Sequence, residues 1–214
     1  MTPLLTSISD YVARRYLIAS VARGDAADFT YTPEEERVWQ EVRARLDPLH
    51  RRMIARPLRR AAERLRLPTD RIPRFAEVNS HLQAATGFRL SRVEGLVPAR
   101  AFLSALGSGE FLATEYVRHG TTPWYTPEPD VIHELLGHAA GLSWMPVAET
   151  NRAFGRAADR ADDDGCRALA RVYWHALEFG VVEEGGRALA FGAGLLSSVA
   201  ELERLPSAEL RTWD

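Results

Sequence analysis

The stretch Tyr125-Thr-Pro-Glu-Pro-Asp-Val-Ile-His-Glu-Leu-Leu-Gly-His138 places two imidazoles and a carboxylate close together, directly behind a loop rich in proline. Neutral imidazole is the commonest side-chain ligand of first-row metals, and two histidines on one short element can bind the same ion. The stretch therefore predicts a metal site. On these residues alone, the alternative is a helix that carries two solvent-exposed histidines.

The spacing of the two histidines narrows the kind of metal site. His133 and His138 are five residues apart, which is about 140° around a regular α-helix. In the zinc peptidase pattern H-E-x-x-H the ligands are four apart and share a face. We therefore expect the helix to end or bulge between the histidines, with Gly137 supplying the backbone freedom. A zinc peptidase is disfavoured, and the general-base role of its glutamate is not transferred to Glu134.

Composition describes one ordinary soluble domain. The chain has 214 residues, a net charge of −2, 46% hydrophobic and 26% charged residues, so neither nucleic acid nor an acidic membrane is an expected partner. All 27 basic residues are arginine. The absence of lysine excludes Schiff-base chemistry and a Walker-type phosphate loop.

The single cysteine, Cys166, cannot form an internal disulfide, which suits a reducing cytoplasm. We expect it to be a small buried residue. The first residues lack the pattern of a signal peptide, and no apolar segment approaches membrane-spanning length. The expected location is cytoplasmic.

Apolar periodicity and helix-end signals predict a mostly helical chain. The first predicted helix is 8–24, and a long second one begins at Thr32-Pro33 and is kinked or divided by Pro48 and Pro57. Further helices are predicted at 73–86, ending at Gly87, after Pro98, at 167–180, and after a cap at Ser198. Residues 88–93 alternate as a strand does, and 111–117 fit a strand or a helix. Residues 118–130 hold four glycines or prolines and predict an ordered loop, whereas Asp162 to Asp164 predict a solvated turn.

The predicted helix 167–180 has two dissimilar faces. Its core stripe holds Leu169, Val172, Tyr173, Ala176 and Leu177. Trp174 and Glu178 are four apart on the opposite face, where a tryptophan is unusual if the face is merely wet. That face predicts a cleft wall with one carboxylate. Gly192 and Gly194 predict a close approach of two backbone segments.

Several blocks of the sequence resemble the pterin-dependent aromatic amino acid hydroxylases. The blocks are Thr86–Leu90, Tyr116–Gly120, Tyr125–Asp130, His133–His138, Tyr173-Trp174 with Glu178–Gly180, and Gly192–Ser198. They occur in the family's order, and Glu178 follows His133 by 45 residues, as in the family. The resemblance implies a mostly α fold, a single catalytic domain at 29–214 with one or two short β-strands, after an N-terminal helical extension at 1–28.

The resemblance also implies an activity. One non-haem Fe(II) would be bound by His133, His138 and Glu178 as a facial triad, with tetrahydropterin and molecular oxygen as the other reactants. The expected reaction is a monooxygenase hydroxylation of the ring of an aromatic amino acid, with phenylalanine as the first choice. Trp174 is more similar to the phenylalanine and tyrosine enzymes than to the tryptophan enzymes.

Individual site residues follow from the same resemblance. Arg118 would form a bidentate pair with the substrate carboxylate, assisted by Thr126 and Ser197, and the ring pocket would be lined by Pro129, Trp174, Phe179 and Gly194. For the pterin, Phe102 would stack on the ring, and Glu134, the predicted catalytic carboxylate, would hydrogen-bond it together with the backbone near Leu96 and Val97. The alternatives are a core role for Phe102 and a structural ion pair for Arg118.

The sequence also departs from the family pattern. Pro98-Ala99 and Leu112 replace polar residues near the expected pterin, and Ala139-Ala140-Gly141 replaces a segment with Val-Pro. The family's core normally continues beyond the position of Asp214, and we expect a more open pocket and a monomer or weak dimer. Two alternatives stay open: a tailoring iron oxygenase for a modified or carrier-bound aromatic, and a non-catalytic binding module derived from this fold.

Overall fold

A computed structural model describes residues 30–93, 97–126 and 128–212 of the chain. The described part is mostly helical, as the sequence predicts, and contains four short strands. The predicted helix at 8–24, and with it the N-terminal extension at 1–28, lies outside the described residues.

The first described helix begins where its sequence predicts. Helix α1 spans Pro33–Met53, and the Thr32 side chain and Glu35 form a capping box at its start. Pro48 lies inside α1 without ending it, so the predicted break at this proline is wrong. The break comes after Met53, and Pro57 lies in the first turn of α2 (Arg56–Leu65).

A small parallel sheet follows the third helix. Helix α3 (Phe75–Thr86) ends at Gly87, whose φ of 75° is the left-handed conformation typical of a C-terminal glycine. Strand β1 (Arg89–Arg92) pairs in parallel with β2 (Glu110–Ala113), and α4 (Ala99–Gly107) connects them. The pairing settles the ambiguity of 111–117: its first residues form a strand because β1 lies beside them.

The second half of the chain contains two π-helical segments. The first, π1, spans His133–Ala139 and continues into α5 (Ala140–Leu142) and then α6 (Met145–Ala158). Helix α7 (Asp163–Tyr173) runs directly into the second, π2 (Trp174–Glu178). The acidic run starts α7 and does not form a turn, because the Asp162 side chain accepts from the Gly165 N–H as an N-cap.

The hairpin after π2 is not predicted by the sequence analysis. Strands β3 (Val181–Glu184) and β4 (Arg187–Ala190) pair antiparallel around Gly185 and Gly186, both at positive φ. A Gly-Gly pair between two strand-forming segments favours a two-residue hairpin turn, and here it forms one. The chain then forms α8 (Ala193–Leu196), α9 (Val199–Arg204) and a 3-10 turn (Leu205–Ser207).

The core lies between α1, α3, α4 and the π-helices. Its largest fully buried side chains include Trp39, Phe88, Phe111 and Leu135. Cys166 is buried as a free thiol, as predicted. Val172 is 39% exposed, so its assignment to the core stripe is wrong: it precedes the point where the regular helix gives way to π2. None of the described helices is long and apolar enough to cross a membrane.

Candidate metal centre and cavity

The π-helix brings the two histidines together. In π1 the backbone bonds link residues five apart, so His133 and His138 fall on the same face. Their Nε2 atoms are 2.9 Å apart, and both side chains are buried. The predicted departure from a regular helix is therefore confirmed, and the alternative of solvent-exposed histidines is wrong.

Gly137 serves a different purpose from the one predicted. The glycines at positive φ in the described chain do not include it, so it supplies no left-handed turn. A Cβ at this position would lie 2.7 Å from the Ala193 carbonyl oxygen and 2.9 Å from the Ala193 Cβ. Glycine is therefore required because α8 packs directly against π1.

Glu178 completes the cluster from π2. Its Oε1 lies 3.1 Å from His138 Nε2, and its Oε2 lies 3.4 Å from His133 Nε2. The carboxylate side chain is 1% exposed. Two donor atoms at right angles around a metal, each bound at about 2.1 Å, lie about 3.0 Å apart. The two imidazoles and the carboxylate are thus spaced as neighbouring ligands of one ion.

Ser197 fixes the orientation of the first imidazole. Its hydroxyl donates to the Ala193 carbonyl at 2.9 Å and lies 2.9 Å from His133 Nδ1. A hydroxyl has one proton to donate, so here it accepts from an Nδ1–H. That tautomer leaves the Nε2 lone pair of His133 directed at His138 and Glu178, where a metal would bind.

Glu134 is a second buried carboxylate beside the histidines. Its ligand atom lies within 4.8 Å of those of His133 and His138. Its Oε1 accepts from the Thr114 backbone N–H at 3.3 Å, and it lies 3.3 Å from the Thr114 hydroxyl, which donates to the Pro129 carbonyl at 2.9 Å. Glu178 makes the closer approach to the two Nε2 atoms, and its place between them fits a ligand better.

Arg118 is held by an aspartate that the sequence analysis assigned no role. Its Nε and Nη2 donate to the two Asp130 oxygens at 2.8 and 2.7 Å, and the side chains are 2% and 0% exposed. Its Nη1 donates to the carbonyls of Ser197 at 3.1 Å and Pro123 at 3.3 Å. The bidentate partner of Arg118 in the structure is therefore Asp130. Four of the five guanidinium protons are used, and one on Nη2 is left.

Two glycines let the chain pass directly behind Glu178. A Cβ on Gly192 would lie 2.2 Å from the Glu178 carbonyl oxygen, and one on Gly194 would lie 3.0 Å from it. The Phe191 and Gly192 N–H groups both donate to the Gly180 carbonyl, at 3.0 and 2.9 Å. The predicted close approach is confirmed, and it fixes the end of π2 against α8.

A cavity lined by His133 and Glu178 adjoins this cluster, with about 430 Å³ of empty space including its mouth. All seven predicted substrate-pocket residues line it: Arg118, Thr126, Pro129, Trp174, Phe179, Gly194 and Ser197. His133 and Glu178 line it as well, so the predicted cleft wall of Trp174 and Glu178 is present. Among the described residues, four further ones line the cavity without having been predicted: Tyr125, Glu128, Ser198 and Glu201.

Of the residues predicted to contact a pterin, the structure describes Val97, Phe102 and Glu134, and none of these three lines this cavity. Phe102 is 3% exposed and packs edge to face on Phe111 and Tyr173, at centroid distances of 5.2 and 5.6 Å. Val97 is buried, and Leu96 lies outside the described residues. These packing contacts are those of the alternative core role of Phe102, and its stacking on a pterin stays a prediction.

The fold and the site together define a mostly helical protein with a buried cluster of two histidines and one glutamate beside a small-molecule cavity. The model of the family described as biopterin-dependent aromatic amino acid hydroxylase matches residues 6–212. The chain belongs to this family.

Individual relatives agree with this assignment. The chain is 38% identical to a chloroplastic phenylalanine 4-monooxygenase of Chlamydomonas reinhardtii over 202 residues, covering 92% of this chain and 56% of that protein. It is 39% identical to a tyrosine 3-monooxygenase of Caenorhabditis briggsae over 202 residues, covering 90% and 39%. The chain thus spans about half the length of these relatives or less.

The fold is also that of a solved family member. A phenylalanine hydroxylase of Chromobacterium violaceum, with bound iron(III) and oxidised 7,8-dihydrobiopterin, superposes with a TM-score of 0.80. The two chains are 30% identical, and the match covers 96% of this chain and 76% of that one.

Proposed function

We propose that this protein is a non-haem Fe(II), tetrahydropterin-dependent monooxygenase that hydroxylates the ring of an aromatic amino acid, with phenylalanine as the preferred substrate. The observation that carries the proposal is the convergence of His133, His138 and Glu178 within 3.4 Å at the wall of the cavity that Trp174 and Arg118 also line. Both named relatives act on aromatic amino acids by their names.

His133, His138 and Glu178 would hold the iron. Two imidazoles and one carboxylate are the donor set of non-haem Fe(II) oxygenases, and they leave other positions open. Their spacing of 2.9 to 3.4 Å fits neighbouring ligands of one ion. Bound iron and reduced pterin together supply the oxygen activation that no protein side chain provides.

The chain's own residues would bind and orient the substrate. Trp174, Phe179 and Pro129 offer apolar surface for an aromatic ring. Because Asp130 occupies the bidentate edge of Arg118, the guanidinium would contact a substrate carboxylate through its remaining Nη2–H. Asp130 thus holds Arg118 in position, and Ser197 joins Arg118 to His133 through its carbonyl and its hydroxyl.

Glu134 is proposed as the carboxylate on the pterin side, where it would accept a hydrogen bond from the cofactor. It is 1% exposed and lies next to His133 on π1. Its Oε1 is tied to Thr114, which limits its rotation. Phe102, Val97 and Leu96 are proposed for the same cofactor on family resemblance alone.

The activity is tested by reconstitution. The protein is loaded with Fe(II) and incubated with tetrahydropterin, oxygen and, separately, phenylalanine, tyrosine, tryptophan and a larger N-acylated aromatic acid. We expect hydroxylated product from phenylalanine first. Turnover of the larger acid alone would favour the tailoring oxygenase, and bound iron with no product from any of them would favour the binding module.

The metal ligands are tested by iron content. His138→Ala should lose iron binding while its circular dichroism spectrum stays unchanged, and Glu178→Gln should weaken binding. The matched control is His81→Ala, since His81 is exposed on α3. Full iron occupancy in His138→Ala would refute the ligand assignment.

The role of Arg118 is tested kinetically. Arg118→Ala should raise the KM for phenylalanine strongly, because a carboxylate contact acts in the ground state as well. An unchanged KM would make the Arg118–Asp130 pair purely structural.

We further propose a cytoplasmic protein, monomeric or weakly dimeric, with its catalytic domain at 29–214. The single buried cysteine and the modest net charge of −2 support this reading. The family match begins at residue 6 and so includes most of the proposed extension.

A further inference from the structure

Besides Glu178, two glutamates without an assigned role line the cavity, Glu128 and Glu201. Glu201 lies in the first turn of α9 and lines the cavity with Arg118, Trp174 and Phe179. Its backbone N–H donates to the Ser198 hydroxyl at 3.2 Å, which fixes the start of the helix. The carboxylate itself is free of this capping bond and is available to a ligand.

The cost of burying the Glu201 carboxylate is only partly offset by a nearby positive charge. Burial raises the pKa of Glu201, and Arg204 offsets part of that rise. Arg204 is exposed and is the one charged group of the described chain that affects Glu201 in this way. A partly buried carboxylate with so little compensation is stabilised by any cation that enters the cavity.

The other acidic groups near the cavity are already engaged or are exposed to solvent. Asp130 holds Arg118 through two hydrogen bonds, and Glu178 lies against the two imidazoles. Glu128 lines the cavity but is exposed on the loop. Glu201 is therefore the best-placed carboxylate for a cation inside the cavity.

Glu201 and Arg118 line the same cavity. Arg118 Nη1 donates to the Ser197 carbonyl at 3.1 Å, and Glu201 lies in the helix that Ser198 caps. An α-amino acid carries its carboxylate and its ammonium group on one carbon atom. A positive and a negative protein group on the same cavity wall are complementary to that pair of charges.

We propose that Glu201 binds the α-ammonium group of the substrate, so that the cavity selects free α-amino acids over aromatic acids that lack an amino group. The proposal rests on the proposed function, because it names how that substrate is recognised. Arg118 meets the carboxylate, Glu201 meets the ammonium group, and Trp174 and Phe179 cover the ring. N-acylation of the substrate would remove the charge that Glu201 recognises.

The test is a binding measurement on the iron-loaded protein without pterin. L-phenylalanine and 3-phenylpropanoate, which lacks only the amino group, are titrated calorimetrically into the wild type and into Glu201→Gln. The glutamine keeps the size of the side chain and removes its charge. Glu203→Gln is the matched control, since Glu203 lies on the same helix and pairs with Arg45 at the surface.

We expect Glu201→Gln to lower the affinity for L-phenylalanine by about tenfold to a hundredfold, as for the loss of a charged hydrogen bond. Its affinity for 3-phenylpropanoate should stay the same or rise, because a like charge has been removed. Glu203→Gln should bind both ligands as the wild type does. This selective pattern is not expected from a merely structural change, which would weaken both ligands together.

Three results would overturn the proposal. An unchanged affinity of Glu201→Gln for L-phenylalanine, or an equal loss for both ligands, would refute the role of Glu201. Either result would leave the proposed function standing. A selective loss in Glu128→Gln in place of Glu201→Gln would move the role to the loop. A wild-type protein that binds neither ligand would overturn the proposed function and this inference together.

Discussion

Helix α1 and the two π-helices differ in what determines their conformation. Helix α1 starts at a capping box of Thr32 and Glu35, has acidic residues in its first turn and basic residues in its last. Each of these features is local in sequence. Both π-helices continue from regular helical turns, and at π1 the Asp130 side chain accepts from the His133 N–H at 3.0 Å. Both are also held by the segment Gly192–Ser198, which follows π1 by more than 50 residues.

The difference between α1 and the π-helices shows that tertiary contacts decide where the chain departs from a regular helix. A π-helix is rare and occurs mostly at functional sites, where tertiary contacts hold it. Here those contacts are the packing of α8 on Gly137 and of Gly192 on the Glu178 carbonyl. Changes in these contacts should therefore damage the metal centre, whereas changes in α1 should affect stability alone.

The largest effect is expected from Gly192→Ala. The added Cβ would lie 2.2 Å from the Glu178 carbonyl oxygen and 2.6 Å from the Gly180 nitrogen, both backbone atoms. We expect a loss of more than about 3 kcal/mol in the free energy of unfolding, together with reduced iron content. Urea denaturation and metal analysis measure the two effects.

Gly186→Ala is the control for this change. Gly186 adopts a positive φ of 74°, unlike Gly192, and a Cβ there meets nothing within 4 Å. The cost should be about 1–2 kcal/mol from backbone strain alone, with full iron binding. Equal effects of the two substitutions would contradict the role given to the Gly192 contact.

An intermediate effect is expected at the junction of the two regions. His50, in the last turn of α1, lies 2.7 Å from the Leu196 carbonyl through its Nε2, and burial lowers its pKa from 6.5 to about 4. The unfolded chain therefore binds a proton between these pH values and the folded chain does not. Stability should be highest above pH 6.5 and fall as the pH drops toward 4, by about 3 kcal/mol in total from this group.

Urea denaturation at several pH values checks this expectation. His50→Gln cannot titrate, so the difference in free energy of unfolding between wild type and variant should change across the same window. A constant difference from pH 7.5 to pH 4.5 would show that His50 is not buried as a neutral group.

The smallest effect is expected from Thr32→Ala. The hydroxyl accepts from the Glu35 N–H at 3.3 Å, and the Glu35 carboxylate accepts from the Thr32 N–H at 2.7 Å. Loss of this cap should cost about 1 kcal/mol and leave iron content unchanged. A loss of iron would mean that α1 is coupled to the metal centre more tightly than the comparison implies.

The predictability of the fold follows the same division. The starts of α1 and α9 and the end of α3 could be predicted, because Thr32, Ser198 and Gly87 act on their immediate neighbours. The strand character of β2 could not, because it depends on pairing with β1. The continuity of α1 at Pro48 was not predicted, because the packing of the helix outweighs the hydrogen bond that a proline removes.

The residue types at the candidate site could be predicted from the sequence, but most of the contacts that hold them in place could not. The histidine spacing indicated a bulge, and the family resemblance supplied Glu178 and the cavity residues. Asp130 was not assigned a role although it lies in the matched block Tyr125–Asp130, and Glu201 was not predicted to line the cavity. Asp130 gains its importance from Arg118, twelve residues away, and Glu201 from the cavity that it lines.

The sequence by itself determined the helical character, the departure from regular helix between His133 and His138, and the kinds of ligand available. It could do so because periodicity, capping and residue chemistry are properties of neighbouring residues. Only the tertiary structure decided that the departure is a π-helix packed on Ala193, and that Arg118 is held by Asp130. Those outcomes depend on distances between segments far apart in the chain, which no local pattern encodes.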